Sequence, residues 1–488
     1  MQHPYGKLTI GLLFFLLSLS VSAQEVSPYS RFGLGDAQST DFAAVGALGG
    51  ASAAYQDWLG LNYNNPASYS KLQFTTFELG IKYGLRSIKA TDSTYTSSDA
   101  FLDYFAMALP FGKRKAGGLT FGIAPFTQVS YSQLSEVSDS TVGSFTRLFN
   151  GDGRTYKLFV GSGWEVLGSE AKYSKHRLSV GANANLLFGK LRYSQIINFP
   201  DSSNTLSTRQ TTNARVADAV FDVGVQYTLW LKRPSQIGSQ VKINGLDSLV
   251  YLPIDTVIDW RKDLNKKTLY DKKGFIDSLV KVRRHAVFMT IGAYASVPLN
   301  TNAGIEKVYD RLVYTSSGLL ILDTLSFTSG FSLKLNVPAK FGFGFMFSQA
   351  DKWKALVDVS YTTWKNFNSI ITESVSFRND IRTAIGLEYI PNAAAGSFIK
   401  RTFYRIGAYY DNGYLTIAGN DIREIGGSLG FGIPLKRERF KMGYPHLNIS
   451  FEGGTRGTNA NNLVSEKFFR GVIAITLNNK WFEQRRYD

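Results

Sequence analysis

The residue types that usually carry chemistry are sparse and scattered in this chain. Its four histidines are His3, His176, His285 and His446, and no two lie close enough in sequence to share a metal on one helix or turn. There is no cysteine, so the reading excludes disulfide stapling, thiol catalysis, sulfur-ligated metal and a lipidated anchor. The run Gly46-Ala47-Leu48-Gly49-Gly50 lacks the preceding strand and the Lys-Ser/Thr pair that a phosphate-cradling loop needs. Asp255 and Asp259 could be a carboxylate pair, but they stand among many Lys and Arg and read more simply as solvated loop charges. The side chains therefore point away from an enzyme and imply no cofactor and no metal. Function has to be sought in the elements themselves.

Those elements begin with an export signal. A lysine at position 7, an apolar stretch from Leu8 to Leu19 and the small-residue site Val21-Ser22-Ala23 make residues 1–23 a secretory signal peptide. After Ala23 no run of 18 apolar residues occurs, so helical membrane spans are not expected. Yet the chain of 488 residues is 44% hydrophobic and holds 46 Gly, 26 Tyr and 35 Phe. Aromatics and glycine without apolar blocks suit strands that face lipid on one side and a crowded lumen on the other.

The two-residue period that this requires is visible. Phe77, Leu79, Ile81, Tyr83 and Leu85 alternate with Glu78, Gly80, Lys82, Gly84 and Arg86, and Phe341, Phe343, Phe345 and Phe347 enclose Gly342 and Gly344. About fourteen such segments fall near residues 75–89, 101–111, 117–131, 154–163, 178–196, 214–231, 286–299, 332–348, 353–365, 374–390, 402–411, 423–435, 444–454 and 466–480. The fold class is therefore all-β, a transmembrane antiparallel β-barrel of the outer membrane occupying residues 75–488. Short basic turns such as 112–115 alternate with polar stretches such as 92–98, 138–153 and 201–213, which read as the long outer loops.

Two segments interrupt the pattern. Residues 24–74 are rich in small residues and read as an N-terminal hatch inside the lumen. A basic insertion at 232–285 follows the sixth strand and falls on the periplasmic side if the first strand rises from there. The net charge of +16 points to anionic membrane lipid, lipopolysaccharide phosphates or acidic protein surfaces rather than to nucleic acid in an exported protein.

Two patches resemble the FadL/TodX family of hydrophobic-compound channels. One is Tyr29-Ser30-Arg31-Phe32-Gly33-Leu34-Gly35-Asp36 with Gly49-Gly50-Ala51 and Asn65-Pro66-Ala67. The other is Val337-Pro338-Ala339-Lys340-Phe341-Gly342-Phe343-Gly344, followed by Trp353, Asp358 and Trp364 in the next strand. The closing segment 479–488 is similar to Bacteroidota members. The resemblance implies fourteen strands and a hatch in which Gly49, Gly50, Asn65, Pro66 and Ala67 take part. It also implies lateral release of an apolar ligand at a kink in the third strand, where Gly122, Ala124 and Pro125 form the candidate gate, since proline in a strand belongs at a bend or bulge.

The leading expectation is a passive outer-membrane channel for hydrophobic small molecules, long-chain fatty acids or aromatic hydrocarbons. Movement of such a solute into a greasy pocket and on into lipid is downhill by ~0.8 kcal/mol per CH₂. The rival is a non-transporting scaffold subunit of an outer-membrane protein assembly or type IX secretion complex, because relatives of this layout include PorV and because simple diffusion needs no insertion such as 232–285.

Overall fold

The computed structural model describes residues 27–479 except 92, 113–115, 141–142, 169–173, 200–205, 233–238, 244–245, 251–285, 300, 316–317, 369, 371–374, 394–396 and 436–444. The signal peptide and most of the insertion thus lie outside the described residues. Within the insertion, Ser239–Ile243 and Leu246–Val250 pair with each other.

Fourteen antiparallel staves close a barrel. They are β1 (Thr75–Lys89), β2 (Thr94–Phe111), β3 (Gly117–Asp139), β4 (Gly143–Leu167), β5 (His176–Asn198), β6 (Ser207–Lys232), β7 (Val287–Pro298 running on as Thr301–Thr315), β8 (Gly318–Leu335 running on as Lys340–Gln349), β9 (Trp353–Thr362), β10 (Asp380–Tyr389), β11 (Phe403–Asp411), β12 (Glu424–Pro434), β13 (His446–Gly457) and β14 (Ser465–Asn479). Closure is made by β1 on β14, in register from Thr75 opposite Asn479 to Lys89 opposite Ser465.

The wall is inside out relative to a water-soluble protein. On β1, Leu79, Ile81, Tyr83 and Leu85 are exposed while Glu78, Lys82 and Arg86 are buried. Apolar side chains on the outside are stable only against lipid, and charged ones in the lumen only if paired. The chain is therefore a multi-pass barrel of the outer membrane, crossing with strands. No helix among the described residues is long and apolar enough to cross.

The barrel is lopsided. About ten residues suffice for a tilted strand to span the bilayer, and β10 and β11 have 10 and 9. By contrast β3, β4, β5 and β6 have 23, 25, 23 and 26, and β7 and β8 carry a further hairpin from Thr301 to Leu335. Six staves thus project as a tall wall at the far end, opposite Thr75 and Asn479. This corrects the expectation of long loops at 92–98, 138–153 and 201–213. Most of these residues continue the strands, and their alternation is faint because the outward face meets water rather than lipid beyond the membrane and need not be apolar. The hairpin from 301 to 335 was not foreseen for the same reason.

The N-terminal segment fills the lumen in short turns: Pro28–Arg31, Ala43–Gly46 and Pro66–Lys71 are helical, and Asp36–Ala37 is extended. Above it, the connections after β9 and β11 fold inward. Trp364 stacks on Tyr414 at 4.4 Å, and with Phe367, Ile370, Leu415 and Ile422 it packs onto the inner face of the tall wall at Val129, Tyr131, Leu187, Leu191, Tyr193 and Val216. This apolar cap closes over the far mouth of the lumen.

Candidate functional site

The site is the seat of the hatch and the seam beside it. The seat is made by wall glycines that the strand pairing sets side by side. Gly118 lies opposite Gly163, Gly163 opposite Gly181, and Gly181 opposite Gly224. Gly292 likewise faces Gly344, and Gly386 faces Gly407. Most of them admit the hatch main chain where a side chain would collide, while Gly224 admits the Asn65 side chain and Gly344 the Ala53 methyl. A Cβ would stand 2.3 Å from Tyr69 O at Gly118, 2.3 Å from Pro66 O at Gly163, 2.1 Å from Asn65 Oδ1 at Gly224, 2.0 Å from Ala53 O at Gly292 and 2.1 Å from Gly49 N at Gly407. Glycine inside a strand weakens it, so it belongs where another backbone approaches this closely.

Polar wall groups then fix the seated segment. Asn65 caps the turn that begins at Pro66, its Oδ1 accepting from Ala67 N at 3.1 Å while its Nδ2 donates to Ala53 O at 2.6 Å. The Asp358 carboxylate accepts from Ser52 N at 3.0 Å and Ala53 N at 2.6 Å. Gln226 donates to Ala53 O at 3.0 Å. Gly49 N donates to Ser428 Oγ at 2.9 Å, and Gly49 O accepts from Arg382 at 3.2 Å. Gly49 and Gly50 both have left-handed backbones, φ 71° and 84°, so the tight turn against β10 and β11 needs them. The stretch Gly426-Gly427-Ser428-Leu429-Gly430 spells a nucleophile elbow, but it runs within β12 and its serine serves as a hatch ligand.

Toward the near end, β9, β10 and β11 contribute Lys354, Glu388 and Arg405, with Lys354 to Glu388 at 2.9 Å and Arg405 to Glu388 at 2.7 Å, while Arg405 also donates to Asn448 at 3.0 Å. Among the described residues no three His, Asp or Glu converge as metal ligands would.

The seam runs between β2 and β3. Their ladder starts at Phe111 opposite Gly117 and stops at Phe105 opposite Ile123. Two residues further, the β3–β4 register shifts between Pro125 and Thr127. Gly122 is the last but one residue of that ladder, opposite Ala106, and Ala124 and Pro125 follow it past the ladder's end. What the sequence did not disclose is that the chain's own N-terminal segment occupies the parting. Asp36 and Ala37 pair with Gln128 and Thr127. Ser27 N donates to Ser130 O at 2.8 Å and Gln38 N to Phe126 O at 2.8 Å.

Charges lock this patch. Arg456 holds Asp36 at 2.7 Å, Arg86 stands 3.9 Å from Asp36 and pairs with Glu466, and Ser27 Oγ donates to Glu466 at 2.8 Å. Burial pushes the Asp36 carboxyl up, but Arg456 and Arg86 outweigh it and hold it below the usual carboxylate range. Across the same gap, Asp99 of β2 pairs with Arg154 of β4 and accepts from Gln128 of β3 at 3.1 Å.

The second family patch does not form one site. Pro338 sits in the break within β8, Gly342 makes room for the Tyr294 ring, and Gly344 meets Ala53 of the hatch. Trp353 starts β9 at the near end, bonded to Gln349 at 3.0 Å. Trp364 was expected in that strand but lies past its end, in the turn Trp364–Asn366, because it is drawn into the apolar cap.

A family model described as BamG matches residues 6–251 and 282–488. No curated protein matches the chain. Among solved structures, the Ralstonia pickettii toluene transporter TbuX is similar at 13% identity and a TM-score of 0.50, covering 90% of this chain and 99% of that one. A Pseudomonas aeruginosa FadL homologue is similar at 11% identity and a TM-score of 0.51, covering 91% and 99%. At such identities the likeness extends to the fold alone, the β-barrel.

Proposed function

The chain belongs to the BamG family, and from that premise we propose that it works as a barrel subunit of an outer-membrane protein assembly complex, a folded platform held among partners. One observation carries this reading: the lumen is filled by a main-chain-seated hatch, capped at its far mouth and patched at its seam. A subunit that docks partners needs a rigid wall and no through path. The insertion 232–285 supports the same reading. It leaves from the end at which Thr75 and Asn479 lie, opposite the tall wall; barrels of this class carry their larger projections outside, so that end is read as the periplasm, the side from which unfolded barrel clients arrive. The family name favours assembly over type IX secretion as the setting.

A second reading, passive uptake of fatty acids or aromatic hydrocarbons with lateral release, is favoured by the bulge at Pro125 and by the fold shared with TbuX and the FadL homologue. In it, residues 27–38 must leave the seam before ligand can pass Gly122, Ala124 and Pro125. Purification in mild detergent separates the two. The assembly reading expects a stable multi-subunit complex that is lost on deletion of 233–284. A lone barrel that binds fatty acid or toluene, with uptake abolished by Pro125→Val, supports the channel instead.

A further inference from the structure

The outer face of the tall wall carries a feature that neither reading uses. Cross-strand pairing arranges the outward side chains in rows. One row is Tyr156, Phe188, Ala217 and Asn302, each opposite the next. The Tyr156 and Phe188 rings lie 6.2 Å apart, and below them the outward side chains are apolar, including Leu158, Leu186, Phe221 and Val223. An aromatic girdle above an apolar band marks the level at which lipid tails give way to headgroups.

The next row up is Arg154, Lys190, Arg215 and Gly304, again each opposite the next. Like charges directly opposite one another destabilise a sheet. Arg154 is relieved by Asp99. Lys190 and Arg215, both exposed, have no ion-pair partner among the described residues. Arg192 stands one row beyond, opposite Asp152 and Asn213, and Asn213 is bonded to Glu306 at 3.0 Å. Lys334 lies opposite Asn302. Between these cations the floor is small: a Cβ on Gly304 would meet nothing nearer than Arg215 O at 4.0 Å.

We propose that Lys190 and Arg215, flanked by Arg192 and Lys334, bind the phosphate of a phosphorylated glycolipid in the outer leaflet. With the tall wall projecting outside and the end of Thr75 and Asn479 in the periplasm, the patch stands at outer-leaflet headgroup height, continuous with the lipid-facing belt. A phosphate supplies the charge that the opposed cations lack, and acyl chains below it would lie on Leu158, Leu186 and Phe221. Lipid retention at this patch does not depend on complex membership, so it can be tested on the isolated barrel whichever proposed function holds.

The experiment is native mass spectrometry of the purified full-length mature barrel titrated with bisphosphorylated lipid A, dephosphorylated lipid A and phosphatidylethanolamine, with inorganic phosphate as competitor. The wild type retains bisphosphorylated lipid A at least tenfold more tightly than the dephosphorylated form. The Lys190→Gln/Arg215→Gln variant loses that preference while Lys467→Gln, on β14, keeps it, and heat-modifiable migration on gels confirms that all three are folded. Equal retention of the two lipid A forms by the wild type, or an undiminished preference in the double variant, overturns the assignment. So does full displacement by millimolar inorganic phosphate, which would show a site for the free anion.

Discussion

At Gly224 the distance from wall to hatch leaves no room for a methyl group, and that single fact sets how the lumen behaves. A Cβ there would stand 2.1 Å from Asn65 Oδ1, and at Gly181 2.4 Å from the Pro66 carbonyl carbon. Forcing bulk into such a contact costs about 1–3 kcal/mol per site. Gly224→Val and Gly181→Val should therefore each lower the unfolding free energy of the barrel, read from urea titrations in lipid vesicles, by that amount, whereas Gly471→Ala, whose nearest neighbour is 3.6 Å away, should change it by less than about 0.5 kcal/mol. Asp36 gives a second test. Its carboxyl is held below the ordinary range by Arg456 and Arg86, so its stabilising contribution is complete above the unfolded value near pH 4 and is lost as pH falls through the lower, folded value. Wild type should exceed Asp36→Asn in stability at pH 7, and the gap should close below about pH 4 in paired urea titrations. Asn65, Pro66 and Gly49 were readable in the sequence as a capped turn and a small-residue run. The glycines that receive them were not, because a glycine in a strand looks like a weak point until cross-strand register shows that several stand side by side.

At the scale of elements, the seam is where sequence and structure diverge most instructively. Alternation located the staves closely, for lipid on one face and lumen on the other impose a period of two, and Pro125 lies two residues past the end of the β2–β3 ladder, at the register shift between β3 and β4. Nothing local, however, could show that Ser27, Asp36 and Gln38, some ninety residues earlier, would complete the wall there. The same limit hid the hairpin from 301 to 335, where the outward face stands above the lipid and need not be apolar, so the period is weak. The chain lacks cysteine, so a single reporter is clean. Ser130→Cys should resist a membrane-impermeant maleimide in the intact barrel and become labelled once residues 27–38 are deleted. Rapid labelling of the intact barrel would mean that the N-terminal segment does not close the seam.

At the scale of the whole molecule, the proposed partner-holding role rests on the filled lumen, the apolar cap and the tall exposed wall, and membership of the BamG family is what suggests its setting. The most direct measurement is to deplete the chain from its native cell and quantify the folded, heat-modifiable outer-membrane barrels alongside uptake of a labelled fatty acid and of toluene. The account predicts a broad fall in folded barrels that precedes any change in uptake. Unchanged barrel levels with a selective loss of hydrophobic-solute uptake would contradict it.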